Sequence, residues 1–163
     1  MAANIEGSCV NGEIDTTDRR ILAVLQKHGR ISNAELSERV NLSPSACHRR
    51  VARLEAAGVI RGYVALLDAR RVERPTTVFV EITLSGQADD ILDAFEREVA
   101  RIPDVLECHL MAGSADYLLT VVARDSEDFA RIHRQHLTRL PGVAQMQSSF
   151  ALRTVFKTTA LPV

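Results

Sequence analysis

Two helix-start signals that follow each other closely constrain this chain more than any other feature of its sequence. Ser32 begins the pattern S-x-x-E with Glu35, a capping box in which each residue satisfies a free backbone N–H at the start of a helix. Ser43 and Pro44 mark a second start, because serine caps helices and proline is tolerated at the first helical position. Two short helices joined by a tight turn form a helix-turn-helix, so the sequence predicts this motif.

An earlier helix completes a three-helix N-terminal domain. Either Asp15 or Thr16 caps this first helix, and Gly29 is expected to end it in the left-handed conformation that glycine tolerates. The second helix is expected to run to about Val40, and the third to cover about 44–57.

The third predicted helix has an apolar face and a basic face. Cys47, Val51 and Leu54 share one stripe at about 100° per residue, whereas Arg49 and Arg53 lie opposite. Guanidinium groups contact phosphates and can donate two parallel hydrogen bonds to guanine. The basic face therefore predicts double-stranded DNA as a partner, with a plain solvated amphipathic helix as the alternative.

Charge is distributed unevenly along the chain. Residues 15–62 carry nine basic and five acidic side chains, a net charge of +4, whereas residues 63–163 carry 11 basic and 14 acidic ones, a net charge of −3. The net charge of −1 for the whole chain conceals this difference. We expect the two halves to meet different partners.

The second half of the chain alternates between strand and helix patterns. Apolar residues at every second position from Val78 to Leu84 predict a strand, and apolar residues at helical spacing from Ile91 to Ile102 predict a helix. The order strand, helix, strand, strand, helix, strand is that of a ferredoxin-like module. The remaining elements are expected as strands at 105–112, 116–123 and 143–156 and a helix that includes Phe129 and Leu140.

The predicted fold class is α+β, with an N-terminal (winged) helix-turn-helix domain and a C-terminal ferredoxin-like βαββαβ domain. Residues 59–67 are expected to form one short strand or ribbon between them. The expected division of the chain is a flexible N-terminus at 1–14, the helix-turn-helix domain at 15–62, a linker or hinge at 63–74 and the C-terminal domain at 75–163.

The third predicted strand is apolar on both faces. Leu119 and Val121 lie on one face, and Leu118 and Val122 lie on the other. Two helices cover only one face of a four-stranded sheet, so we expect a second subunit to cover the other.

Several classes of protein are excluded. The longest apolar stretch, 117–123, is far shorter than the roughly 20 residues that a membrane span needs, and no signal peptide is recognisable, so a cytoplasmic protein without a membrane partner is expected. The three cysteines are too few and too widely spaced for a disulfide framework. No glycine-rich phosphate loop, G-x-S-x-G or H-E-x-x-H pattern occurs, so no catalytic residue and no cofactor is expected.

The segment SNAELSERVNLSPSACHRRVARLEAAGVIRGYVALLD, followed by VLECHLMAGSADYLL and RLPGVAQMQSSFALRTVFKTTALP, resembles the leucine-responsive regulator/AsnC family of transcription regulators. The likeness spans about 14–162. It implies a DNA-binding N-terminal domain that reads pseudo-palindromic promoter sites, and a C-terminal domain for effector binding and oligomerisation. It also implies homodimers that associate further, an octamer being the expected assembly, and an effector that is commonly an amino acid.

Carried over by position, the resemblance assigns two sets of residues. The DNA-binding residues on the recognition helix are Ser43, Ser45, His48, Arg49, Arg50 and Arg53. The effector-binding residues, with the two serines supplied by a neighbouring dimer, are Met111, Gly113, Ser114, Ala115, Asp116, Tyr117, Leu118, Ser148 and Ser149.

The effector loop also has a chemical argument of its own. Gly113 and Ala115 leave backbone N–H groups accessible to a carboxylate, and Asp116 offers an acceptor for an ammonium group. A zwitterion suits this pair of features. A plain hairpin with a turn-favouring aspartate is the alternative.

Other chemistries find weaker support. Cys47 and His48, like Cys108 and His109, are adjacent and project in different directions, and the pair formed by His133 and His136 lacks an obvious third ligand, so no metal site is expected. Two other functions stay open as alternatives. One is an enzyme that uses Cys108, His109 and Asp116, and the other is a metabolite-sensing module that acts through protein partners rather than DNA.

Overall fold

Three helices build the N-terminal part of the protein, as the sequence predicts. The structure is a computed structural model that describes residues 13–163, so most of the expected flexible segment 1–14, with Cys9, lies outside the described residues. The helices are α1 Thr16–Leu25, α2 Asn33–Arg39 and α3 Pro44–Ala56. The chain divides into two compact units. The first comprises the residues up to Ala65 together with the C-terminal segment Phe156–Val163, and the second comprises Leu66–Val155.

The helix starts follow the predicted caps. Asp15 and Asp18 form a capping box at α1, and Ser32 and Glu35 form another at α2. Each box satisfies backbone N–H groups that have no partner inside the helix. At α3 the Ser43 hydroxyl accepts a hydrogen bond from the backbone of the third helical residue.

The expected role of Gly29 is wrong. Helix α1 ends at Leu25, and its C-cap Gln26 keeps a right-handed conformation with φ −62°. The chain then leaves through a right-handed turn in which the His28 N–H donates to the Val24 carbonyl at 2.9 Å. Because this turn satisfies the helix end, no left-handed residue is needed there.

The core of the N-terminal unit gathers the apolar faces of all three helices. Cys47 is fully buried in it, as the apolar stripe predicts, and this burial raises the pKa of its thiol. The C-terminal segment is attached to the end of α1 by the backbone of Leu161, whose C=O accepts from the Gln26 side-chain amide at 3.0 Å and whose N–H donates to the Gln26 side-chain carbonyl at 2.6 Å. The buried cluster consists of Ile21, Leu22, Leu36, Val40, Cys47 and Leu54.

A four-stranded antiparallel sheet forms the second unit, in the order β2-β3-β1-β4. This order, with two helices inserted after β1 and β3, confirms the ferredoxin-like prediction. The elements are β1 Thr76–Leu84, α4 Asp89–Val99, β2 Val105–Leu110, β3 Tyr117–Ala123, α5 Ser126–Gln135, a 3-10 turn at Leu137–Arg139, and β4 Val143–Phe150.

Strand β4 is shorter than the 143–156 expected. Phe150 pairs with Val78, and the Ala151 N–H still donates to the Thr77 carbonyl at 3.0 Å. Strand β1 begins at Thr76, so the chain beyond Ala151 has no neighbour to pair with. For the same reason 59–67 do not form the expected strand within the described chain, because an isolated strand has no hydrogen-bond partner.

The two faces of the sheet differ in burial. Leu119 and Val121 of β3 are fully buried on the face that carries α4 and α5, whereas Leu118 and Val122 are only half-buried on the opposite face, called here the outer face. Phe79 of β1 also lies on the outer face and is 40% exposed. These incompletely buried apolar side chains agree with the expectation that a second subunit covers the outer face.

Helix α5 is fixed to the end of β3 by a buried carboxylate. Asp128 accepts hydrogen bonds from the Arg124 guanidinium at 3.2 Å and its backbone N–H at 3.1 Å, and from Arg131 at 2.8 Å. These bonds, those of the Arg124 side chain first, hold the pKa of the Asp128 carboxyl well below its usual range.

This depressed pKa predicts a loss of stability in acid. The unfolded chain titrates an aspartate near pH 4, so the ionised form of Asp128 stabilises the domain above that pH and loses its effect as acid protonates it. Urea unfolding of the wild type and Asp128→Asn between pH 7 and pH 2 is expected to give stability curves that converge as the pH falls below about 4. Curves that stay parallel would contradict this role.

Candidate functional site

The start of α3 is held in place by short-range hydrogen bonds. Asn33 of α2 donates from its side-chain amide to the Pro44 carbonyl at 2.9 Å. The hydroxyls of Ser43 and Ser45 lie 3.3 Å apart. These contacts fix the first turn of α3 against the preceding helix, so Ser43 serves the cap rather than standing free.

The solvent-facing side of α3 carries three polar residues near its start and middle. Ser45, His48 and Arg49 are exposed. None of the ion pairs within residues 13–163 involves Arg49. The Arg49 guanidinium is therefore available to an external partner.

The other two arginines of the predicted site turn back toward α1. The Arg50 Nη1 lies 2.6 Å from Asp15 Oδ2 and 2.9 Å from Asp18 Oδ1, and Arg53 also pairs with Asp18. We call these four residues the aspartate–arginine cluster. Asp18 is fully buried, and the side chains of Arg50 and Arg53 are 29% and 48% exposed.

The cluster lowers the pKa of its outer member, Asp15. The Asp15 carboxylate accepts the Asp18 backbone N–H and the Arg50 guanidinium, and these bonds lower the pKa of Asp15 to about 2. Sequence reasoning named Asp15 only as a possible helix cap and missed the pairing of both aspartates with the arginines. The sequence does indicate that Asp18 is buried. Asp18 precedes Ile21 and Leu22 at helical spacing, so it lies on the apolar stripe of α1. An acidic residue on such a stripe indicates a buried partner of opposite charge.

The effector loop, residues 113–117, is tied to the end of β1. The Asp116 carboxylate accepts hydrogen bonds from the Leu84 backbone N–H at 2.7 Å and from the Gln87 side-chain amide at 2.7 Å. Its own N–H donates to the Ile82 carbonyl at 2.9 Å, and its carbonyl accepts from Met111 at 2.8 Å. Asp116 thus anchors the loop, and Gly113 and Ser114 at the tip are exposed.

Tyr117 belongs to the core of this unit. Its side chain is buried, its ring lies 4.5 Å from the ring of Phe95, and its hydroxyl donates to Glu96 at 2.7 Å. Burial first, and the Glu96 carboxylate second, raise the pKa of the phenol. Because Tyr117 and Leu118 lie on opposite faces of the sheet, they do not form a single wall of one pocket.

The two predicted serines lie away from the loop within one chain. Ser148 pairs with Val80 and Ser149 with Phe79, so β1 stands between these serines and β3. Both serines are exposed. A site that combines them with the effector loop therefore needs a second copy of the chain, as the sequence analysis expects.

A cavity of the second unit lies on the side of the sheet that carries α4. It has a volume of about 460 Å³ and is lined by residues of α4 and β2, and Tyr117 is the one residue of the effector loop in its lining. Cys108 lines this cavity, and burial raises the pKa of its thiol to about 11. A thiol with a raised pKa is a poor nucleophile at neutral pH, which weakens the enzyme alternative.

The described residues contain no group of three or more histidine, cysteine, aspartate or glutamate side chains arranged to hold a metal ion. His109 lies 3.6 Å from Glu107 on the exposed edge strand β2. Among the same residues, no helix has the length and hydropathy of a membrane span.

Comparison with known proteins places both units in one family. Residues 14–61 match the model of a winged helix-turn-helix DNA-binding domain, and residues 77–161 match that of the Lrp/AsnC ligand binding domain. The leucine-responsive regulatory protein of Escherichia coli is 42% identical over 151 residues, which cover 93% of this chain and 92% of that protein.

Solved structures agree. A transcriptional regulator from Neisseria meningitidis in complex with L-Met superposes with a TM-score of 0.86 at 42% identity, covering 91% of this chain and 96% of that one. An AsnC family transcriptional regulator from Agrobacterium tumefaciens gives a TM-score of 0.88 at 36% identity, with the same coverage. On these matches, the chain belongs to the Lrp/AsnC family of transcription regulators.

Proposed function

We propose that this protein regulates transcription by binding specific DNA sites through α3, and that an amino acid bound at the effector loop changes this binding. The observation that carries the proposal is the exposed guanidinium of Arg49, which takes part in no ion pair within residues 13–163 and lies on the second helix of a capped helix-turn-helix. The family consists of transcription regulators, and the helix-turn-helix of the first unit suits that function because it is a DNA-binding motif.

The chemistry of α3 supports sequence reading by a few residues. An arginine with a free guanidinium can donate two hydrogen bonds to guanine O6 and N7. Ser45 and His48 lie four residues and one residue before Arg49, on the exposed side of the same helix, and add shorter polar groups. Arg50 and Arg53 are held by aspartates, so Arg49 is the strongest candidate for base contact.

Dimers would present two recognition helices to two half-sites about 34 Å apart, which suits a pseudo-palindromic promoter site. The apolar residues on the outer face of the sheet support such a dimer, because covering that face removes Phe79, Leu118 and Val122 from water. Association of dimers into an octamer would bring Ser148 and Ser149 of one copy to the effector loop of another.

The proposed effector is a free amino acid. The Neisseria meningitidis relative is described as a complex with L-Met, and the Escherichia coli relative is named for its response to leucine. In this chain, exposed backbone at Gly113 and Ser114 offers N–H groups for a carboxylate, and Asp116 keeps unused lone pairs for an ammonium group. An effector with an apolar side chain is favoured by the exposed Met111 nearby.

The DNA-binding proposal predicts the effect of Arg49→Ala. The variant is expected to bind a promoter fragment selected by the wild type more weakly by about 1 to 3 kcal/mol, or about 5- to 150-fold, because a bidentate base contact is lost. Fluorescence anisotropy with the selected fragment and with an unrelated fragment of equal length gives the two affinities. The matched control is Arg97→Ala, which removes the same charge from the exposed side of α4.

The same titrations separate the proposal from its alternatives. Wild-type affinity should fall steeply with salt, because phosphate contacts release counterions. Equal binding of Arg49→Ala and wild type to the selected fragment would remove Arg49 from the site. Failure of the wild type to retain any duplex in low salt would favour a sensor that acts through protein partners.

A further inference from the structure

We propose that Asp18 is a positioning residue for DNA binding: it holds the guanidiniums of Arg50 and Arg53 where they contact DNA phosphates, and it leaves base reading to Arg49. The inference rests on the proposed function and extends it. It is carried by the aspartate–arginine cluster, which joins the buried side of α1 to the recognition helix.

The cluster is rigid because hydrogen bonds within α1 hold both carboxylates in place, in addition to their bonds to the arginines. Asp15 and Asp18 bond each other's backbone N–H groups at 2.8 and 3.2 Å in the capping box of α1. Asp18 then accepts Arg50 on one oxygen and Arg53 on the other. A buried carboxylate whose two oxygens both accept hydrogen bonds has little freedom to move. The two guanidiniums bonded to it are therefore held in fixed positions.

The arginines keep donors for a second partner. Each guanidinium has five N–H donors, and the cluster engages one terminal nitrogen of Arg50 and one of Arg53. Both side chains are partly exposed, at 29% and 48%. The remaining donors can bind phosphate oxygens, which accept such bonds from many directions.

Base reading sets stricter demands. It requires a side chain to extend from the helix into the groove and to present its fork squarely to a base edge. The guanidiniums of Arg50 and Arg53 are drawn back to α1, whereas that of Arg49 is not. The geometry therefore divides the three arginines into two that position the helix on the backbone and one that reads sequence.

A positioning role and a simple charge effect predict opposite changes in DNA affinity for Asp18→Asn. The substitution removes a negative charge from the DNA-binding unit, so an aspartate that only repels DNA would give tighter binding when replaced. A positioning aspartate would give weaker binding, because two arginines lose their fixed orientation while the protein gains positive charge.

The experiment measures the affinity of the full chain for the selected and the unrelated fragments at several salt concentrations. Asp18→Asn is expected to weaken binding to both fragments by about tenfold or more, the scale of one lost charge-assisted hydrogen bond. The matched control is Glu35→Gln, which removes one charge from the other capping box of the same unit without touching α3. It should bind as tightly as the wild type or slightly more tightly.

A second variant keeps the test decisive if Asp18→Asn does not fold, which circular dichroism would reveal. Asp15→Asn retains a good helix cap and removes only the outer partner of Arg50. It is expected to weaken binding to both fragments by about threefold, a part of the effect of a charge-assisted bond. Arg53→Ala should weaken both fragments equally and lower the salt slope by about one.

Specific outcomes overturn the inference. Wild-type or tighter binding by folded Asp18→Asn, or by Asp15→Asn where the first variant is unfolded, would show that the aspartates do not position the arginines. A loss by Arg53→Ala on the selected fragment alone would assign Arg53 to base reading. A wild type that binds no DNA would refute the proposed function and this inference with it, whereas wild-type binding with normal variants refutes the inference alone.

Discussion

Replacing Phe95 with alanine is expected to destabilise the protein by about 3 to 5 kcal/mol, the cost of removing a buried aromatic ring from a well-packed core. Phe95 is fully buried on the inner face of α4. Its ring lies 4.5 Å from that of Tyr117, so the loss includes an aromatic contact as well as apolar area. Urea unfolding at a fixed protein concentration measures the change, since assembly makes stability depend on concentration.

The companion variant Phe95→Leu tests the cause. Leucine keeps most of the apolar volume, so its cost should be well below that of alanine. In Phe95→Ala the Tyr117 ring should become more mobile, because the cavity leaves one side of the ring without a packing partner. Its hydrogen bond to Glu96 should weaken as a result. Equal losses for the two variants would mean that ring packing is not what holds α4 to the sheet.

Local signals explain why so much of the fold was predictable. The caps at Ser32 and Ser43 and the alternation in β1 depend on residues within one element, and each is where the sequence places it. Such signals need no knowledge of distant parts of the chain. The end of β4 was missed because it depends on where β1 begins, more than 60 residues earlier in the chain.

The candidate sites were less predictable for the same reason. Arg53 lies on the outer stripe of α3 by spacing, yet its guanidinium reaches Asp18, which is 35 residues away. Asp116 offers a free carboxylate by sequence, yet it accepts hydrogen bonds from Leu84 at the end of the neighbouring strand and from Gln87 just beyond it. Long side chains and loop carboxylates find partners that only the folded chain brings near, so residue type and spacing identify the site but not the role of each group.

These contacts also decide how the effector site must be tested. Alanine at Asp116 would leave the Leu84 N–H without its acceptor and would disturb the loop whatever its role in binding. The substitution Asp116→Asn removes the negative charge but keeps the hydrogen bonds that hold the loop. The asparagine carbonyl can accept from Leu84, and its amide can donate to Gln87 after the Gln87 amide turns over.

Asp116→Asn is therefore expected to fold and to bind DNA like the wild type while it loses its response to amino acids. Loss of a charge-assisted bond to the ammonium group should weaken effector binding by about tenfold or more. Calorimetric titration with L-methionine and L-leucine measures this loss, and DNA titration with and without each amino acid measures the response. The control Asp93→Asn removes an equal charge from an exposed position on α4 and should leave both unchanged. If Asp116→Asn binds both amino acids as the wild type does, the ammonium group is recognised elsewhere, and the role of Asp116 is to anchor the loop through Leu84 and Gln87.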